Sequence, residues 1–157
     1  MAGDPEMHPE TPLYKAVYSG KEEDVRRVLR DATQKATINT VCNKFYRTAL
    51  GLAIFHTKPD IVSLLLDRGA DINAVGGMYW TALGVAVCKG DENIMSLLLD
   101  RGAYINVIGG IYRTSLSVAI YHDKENIVSL LLDRGADINN CGRRTWDCIV
   151  PGCTQGK

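Results

Sequence analysis

The string LLLDRGADIN at residues 64–73 returns as LLLDRGAYIN at 97–106 and as LLLDRGADIN at 130–139, so its starts are separated twice by 33 residues. A chain that repeats itself on a short fixed period gives every copy the same packing problem, and the usual solution is that neighbouring copies bury one another. A second marker keeps the same interval. TAL at 48–50 and 81–83 is followed by TSL at 114–116, and TPL at 11–13 precedes them at an offset of 37, four residues more than the period.

Each copy reads as two short helices. In the second copy Thr48 is suited to cap the segment TALGLAIFH, where Leu50, Ala53 and Ile54 fall three and four apart on one face. Thr57 and Lys58 make a turn. Pro59 then opens a second helix with Asp60 in its first turn, and Ile61, Val62, Leu64, Leu65 and Leu66 make that helix apolar almost all round. Gly69, Gly102 and Gly135 stand just past its end, where a left-handed residue closes a helix without a Cβ clash. The connectors AVGGMYW and VIGGIYR carry paired glycines at 76–77 and 109–110, the chemistry of a tight turn.

The period, the Thr-x-Leu opening, the Ala three residues after that Leu and the closing L-L-L-x-x-G-A-D-I-N together resemble the ankyrin repeat over residues 11–140. The resemblance implies an all-α solenoid of stacked helix-turn-helix units, with the connectors projecting as β-hairpin fingers. It also divides the chain into a flexible N-terminal tail at 1–10, repeats at about 11–47, 48–80, 81–113 and 114–140, and a degenerate fifth repeat or C-terminal tail at 141–157. The GG-x-Y-x-T-A-L connectors are similar to those of long fungal-type ankyrin arrays in signalling proteins.

Two departures from the family pattern matter. Its TPLH tetrapeptide stands here as TPLY, TALG, TALG and TSLS, so the His that braces the turn is missing throughout. The glycine between the paired helices is present as Gly20 and Gly90 but replaced by Thr57 and Asp123. Asp tolerates a left-handed backbone and a β-branched Thr does so poorly, so the turn at Thr57 is expected to be strained or re-routed.

Comparing the copies with one another separates the two ends. Where the inner copies have Leu52, Ile61 and Leu64, the first has Lys15, Asp24 and Arg27, the pattern of a cap whose outer side meets water, with residue 1 expected to be a true N-terminus. The fourth copy keeps Val118, Ile120, Ile127, Val128, Leu130, Leu131 and Leu132 as if another repeat should follow. Instead, NCGRRTWDCIVPGCTQGK restarts with Thr145, puts Asp147 where Leu belongs and brings Pro151 into the first helix. Leaving Leu or Val in water forgoes about 1.5–3 kcal/mol each. The open end is therefore expected to be covered by the tail through Trp146, Ile149 and Val150, by further repeats of a longer array, or by self-association with a second copy. The first two are favoured over a specific dimer.

Eighteen basic and eighteen acidic residues cancel, which makes nucleic acid and anionic bilayers poor partners. No apolar run approaches the ~18 residues of a membrane span, and MAGDPEMHPE has no signal-peptide character, so the expected location is intracellular, cytoplasmic or nuclear. The five cysteines include no C-x-x-C pair and read as reduced thiols; Cys42 and Cys141 share a register with Val75 and Ile108 that is read as a packing slot. No catalytic motif, cofactor site or metal site is expected. His56 and His122 lie two repeats apart, and packed helices spaced about 8–10 Å would hold the imidazoles too far apart to share an ion. Asp67-Arg68, Asp100-Arg101 and Asp133-Arg134 are read as solvated charge, and Tyr46, Tyr79 and Tyr112, which recur in register, as braces for the fingers.

If shared registers build the scaffold, variable ones are free for recognition. Ankyrin arrays bind proteins on a concave surface made by finger tips, the residue before each Thr and the end of each first helix. Carried onto this chain, that surface comprises Lys44, Phe45, Arg47, Phe55 and His56, then Met78, Trp80, Cys88 and Lys89, then Ile111, Arg113, Tyr121 and His122. The set is aromatic and basic, typical of interface anchors, and Trp80 stands out because its register mates are Arg47 and Arg113. The resulting reading is a non-catalytic protein-binding module within a larger intracellular scaffold or signalling protein. A free-standing inhibitor that occludes one target comes second, and an enzyme is remote.

Overall fold

A computed structural model describes residues 11–31, 37–40, 48–75, 81–108 and 114–140. Four helix pairs lie within them: α1 (Pro12–Ser19) with α2 (Glu22–Val28), α3 (Ala49–Phe55) with α4 (Pro59–Asp67), α5 (Ala82–Lys89) with α6 (Glu92–Asp100), and α7 (Ser115–Tyr121) with α8 (Glu125–Asp133). A short 3-10 turn, Ile138–Asn140, follows α8. No strand occurs among the described residues. The connectors expected to form fingers, with Tyr46, Tyr79 and Tyr112, lie outside them, as do both tails.

The helix starts follow the repeated threonines. Thr11, Thr48, Thr81 and Thr114 each accept, through Oγ1, the N–H three residues on, from Tyr14, Gly51, Gly84 and Ser117 at 3.2, 3.2, 3.1 and 3.1 Å. Each such cap is worth about 1 kcal/mol to its helix. In the last pair Ser117 Oγ also lies 3.0 Å from Thr114 Oγ1, a hydroxyl pair at the register where the family carries its bracing His. The stops are equally regular. Gly69, Gly102 and Gly135 sit at φ 91, 90 and 90°, and the N–H of the following Ala reaches back to Leu65, Leu98 and Leu131 at 3.0, 2.9 and 2.9 Å.

The turn at Thr57 is strained and not re-routed. Thr57 holds φ 50° and Asp123 φ 54°, alongside 78° at Gly90, and the same closure is kept in all three. Lys58 N–H donates to Ala53 at 3.1 Å, Asp91 N–H to Ala86 at 3.3 Å and Lys124 N–H to Ala119 at 3.0 Å. The threonine hydroxyl donates to the His56 carbonyl at 2.8 Å. The turns are also matched to the next pair. Lys58 lies over Gly20 and Lys124 over Gly90, where an added Cβ would come 3.2 and 2.8 Å from the side chain. Asp91, the residue in the lysines' register opposite Thr57, instead turns its carboxylate to cap Ile94 N–H at 3.0 Å.

The first helices pack side by side along the whole series, α1 on α3, α3 on α5 and α5 on α7, whereas the second helices touch one another less, α2 and α4 the most among them. One apolar core runs through all four pairs. Val17, Ile54 and Val87 form one fully buried register of it, and Val25, Val62 and Met95 another. At the first pair Lys15 and Arg27 are exposed, and Arg27 is paired with Asp24 at 2.7 Å, so the polar outer side expected there is present.

Two ladders join the pairs at the far ends of the second helices. Asp67 pairs with Arg101 at 2.8 Å and Asp100 with Arg134 at 3.5 Å, so the charges read as merely solvated reach across to the next pair. Beside them, Asn39 Oδ1 accepts Asp71 N–H (2.8 Å), Asn73 Oδ1 accepts Tyr104 N–H (2.7 Å) and Asn106 Oδ1 accepts Asp137 N–H (2.8 Å). Asn73 and Asn106 also donate through Nδ2 to the carbonyls of Gly102 and Gly135 at 3.3 and 3.1 Å.

Two expectations need correction. Val118 and Ile127 are buried at 2% and 3% exposure, because their register faces back toward the preceding pair, and Leu131 is buried at 0%, so these three do not contribute to an open end. Val75 and Ile108 are 53% and 50% exposed, so at these two positions the register is a rim position and not a packing slot. Cys42 and Cys141 themselves fall outside the described residues.

Candidate protein-binding face

The C-terminal ends of α3, α5 and α7 bring six of the thirteen expected recognition residues into one strip. Because the first helices lie side by side and end in register, Phe55, Cys88 and Tyr121 share one position and His56, Lys89 and His122 the next. Lys89 Nζ stands 4.3 Å from the centroid of the Phe55 ring, a cation over a π face that is worth about 0.5–1 kcal/mol at an exposed site. Phe55 and His56 meet edge to face at 5.5 Å. One pair further on, Cys88 Sγ lies 3.7 Å from His122 Nε2, and the His122 ring meets Tyr121 at 5.2 Å. Consecutive residues 88 and 89 on α5 thus link the two groups.

Sequence reasoning missed one member. Tyr18, 37 residues before Phe55 in the same register, is 63% exposed and meets the His56 ring edge to face at 5.6 Å, with Tyr14 stacked behind it at 6.4 Å. The signal was available in the first copy, whose Thr-to-Tyr18 spacing equals that from Thr48 to Phe55. Tyr121 is also 58% exposed, whereas Phe55 and Cys88 are half-buried against the core. Lys44, Phe45, Arg47, Met78, Trp80, Ile111 and Arg113 lie outside the described residues.

The strip is electrostatically one-sided. None of its described side chains at these two positions carries a carboxylate, and Lys89 and Lys58 flank His56. Burial, then Lys89, then Lys58 hold the imidazole pKa below its ordinary value, which keeps the ring neutral and able to accept a hydrogen bond near pH 7. Among the described residues no cluster of three or more His, Cys, Asp or Glu could hold a metal ion, and no helix is long and apolar enough to cross a membrane. One recess near the strip, lined by Gly90, Glu92, Asp123, Lys124, Glu125, Asn126 and Ile127, is polar and open.

Stacked helix pairs with a repeated core and a variable edge define a helical solenoid, a class in which each unit rests only on its neighbours. The chain belongs to the ankyrin repeat family: the family model described as ankyrin repeats (3 copies) matches residues 4–76 and residues 75–141. No curated protein matches the chain. Ankyrin repeats are in general protein–protein interaction modules without catalytic chemistry of their own.

Proposed function

We propose that the chain binds a protein partner along the concave side of its stack, through the ends of the first helices and the adjoining fingers, as a non-catalytic module of an intracellular scaffold or signalling protein. One observation carries this reading. Shared apolar registers such as Leu52 with Val85 and Leu65 with Leu98 are buried, while the strip from Tyr18 to Tyr121 changes from copy to copy, stays partly open and holds aromatic rings, a cation and a free thiol. Aromatic anchors beside cations favour a partner surface with apolar side chains and carboxylates. The tighter spacing of the first helices relative to the second supports assigning the concave side to this edge. The proposed surface also includes Trp80 and Arg113, which lie outside the described residues.

The test is affinity capture from the native cell with the intact chain, beside Phe55→Ala/Lys89→Ala and Trp80→Ala/Arg113→Ala variants. Partners held by the native chain should be lost from both variants at unchanged helix content, while a control such as Asn93→Ala on α6 retains them. Undiminished capture by both double variants would discard this surface.

A further inference from the structure

The strip is not uniform along its length, and the difference lies in its charges. The turns after the first helices read Gly20-Lys21 and Thr57-Lys58 in the first two pairs, then Gly90-Asp91 and Asp123-Lys124 in the last two, so carboxylates enter the turns at the third pair. His56 and His122 share a register and yet are surrounded differently. His122 is followed by Asp123 and lies against the Cys88 thiol of α5. His56 meets the ring of Tyr18 from α1 and that of Phe55 from its own helix, and the charges that act on it are Lys89 from α5 and Lys58 from its own turn.

Neither lysine is in an ion pair among the described residues, in contrast to Arg26, Arg27, Arg101 and Arg134, and both are exposed. The Lys89 ammonium is nonetheless fixed, because it rests on the Phe55 face. His56 is half-buried, so a proton on its ring would meet two like charges with part of its water removed. A carboxylate set among these groups offsets the repulsion and turns the charged ring into the better hydrogen-bond partner. The described groups include no arginine fork of the kind that favours a phosphoryl group, and a single carboxylate is the closer match.

We infer that this end of the strip receives an aspartate or glutamate side chain of the protein partner, with its carboxylate between Lys58 and Lys89 and hydrogen-bonded to His56, and that His56 takes up a proton from solvent as the contact forms. The inference rests on the strip being the partner-binding surface. Its pH dependence follows from reciprocity: a carboxylate that favours the charged ring is itself held more tightly once the ring is charged. Affinity therefore rises as the pH falls from about 7.5 to about 6, the range in which an imidazole ordinarily titrates while a partner carboxylate, with a pKa of about 4, stays ionised.

The experiment selects a random-peptide display library on the intact chain at about pH 6.5 and synthesises the recovered peptides. Those that bind the strip are recognised by loss of binding to Tyr18→Ala/Tyr121→Ala, two exposed positions whose exchange spares the core. Strip-bound peptides should carry Asp or Glu. Changing that acid to its amide, or Lys58→Gln/Lys89→Gln in the chain, should weaken binding about tenfold. By fluorescence anisotropy the native affinity should rise about threefold or more between about pH 7.5 and 6, whereas His56→Gln should keep the affinity of the higher pH and lose the rise. Strip-bound peptides that need no acid, a native affinity that does not change with pH, or an equal rise in His56→Gln would overturn the inference and leave the strip as a docking surface. Recovered peptides that all bind Tyr18→Ala/Tyr121→Ala undiminished would remove that surface, and this contact with it.

Discussion

The second and third helix pairs share a fold and differ at one turn. In the third pair Gly90 takes φ 78° at no steric cost; in the second, Thr57 is driven to φ 50° and keeps the same backbone closure. Local preference and stack geometry disagree at Thr57, and the stack wins. The reason is one of magnitude. A left-handed non-glycine residue costs about 1–2 kcal/mol, whereas re-routing the turn would uncover neighbours such as Ile54, Ile61 and Val62, each worth about 1.5–3 kcal/mol when buried.

The comparison can be broken most directly by weakening the packing that enforces it. Leu65 and Leu98 occupy one register at 0% exposure, so Leu65→Ala and Leu98→Ala should each lose about 2–5 kcal/mol in urea unfolding. A marked inequality between them would show that the two pairs are not equally supported. The next effect tests the turn. Gly90→Thr copies the second pair's strain into the third and should cost about 1–2 kcal/mol, because its Cβ also meets the end of Lys124. The reverse change, Thr57→Gly, should stabilise by about 0.5 kcal/mol, since relieved strain is partly offset by the freer unfolded chain. An unchanged denaturation midpoint would mean that the threonine turn carries no strain.

Two smaller effects sharpen the same contrast. A double-mutant cycle on Asp67 and Arg101 should return a coupling below about 1 kcal/mol that fades with added salt, since both groups are largely exposed. His56, beside the strained turn, has its folded-state pKa held below the unfolded value of about 6.5. The unfolded chain therefore binds the proton first, and stability present above pH 6.5 declines as the pH falls toward and through the folded pKa. His56→Gln should flatten that part of the pH profile, and a profile identical to the native one would show that another group titrates there.

Much of this fold is legible in the residues because its devices are local. A Thr three residues before an amide, a Pro opening α4 and a Gly closing α6 act within a single turn of helix, and each stands where the structure uses it. The ladders were not legible. Asp67 with Arg101 and Asn73 with Tyr104 span 34 and 31 residues, and which acid meets which base depends on how far one pair slides along the next. Periodicity fixes the spacing of copies and leaves that slide unspecified. The direction in which Val118 faces was legible, because its register mate Lys15 stands on the water-facing side of the first pair, and Tyr18 was legible from its spacing to Thr11, which equals that of Phe55 to Thr48. Of the expected recognition surface, the six residues at the helix ends assemble into one strip with Tyr18 added, and the seven on the connectors lie outside the described residues.

The alternation of Lys58, Asp91 and Lys124 against Gly20, Thr57 and Gly90 bears on how such a gene can be edited. Copies so alike in wording invite unequal recombination, yet excising residues 81–113 would set Lys124 against Thr57 and force the lysine aside. Loss of that unit therefore leaves a seam at which the flexible end of Lys124 has to find a new place, so units of near-identical text are not wholly interchangeable at their turns.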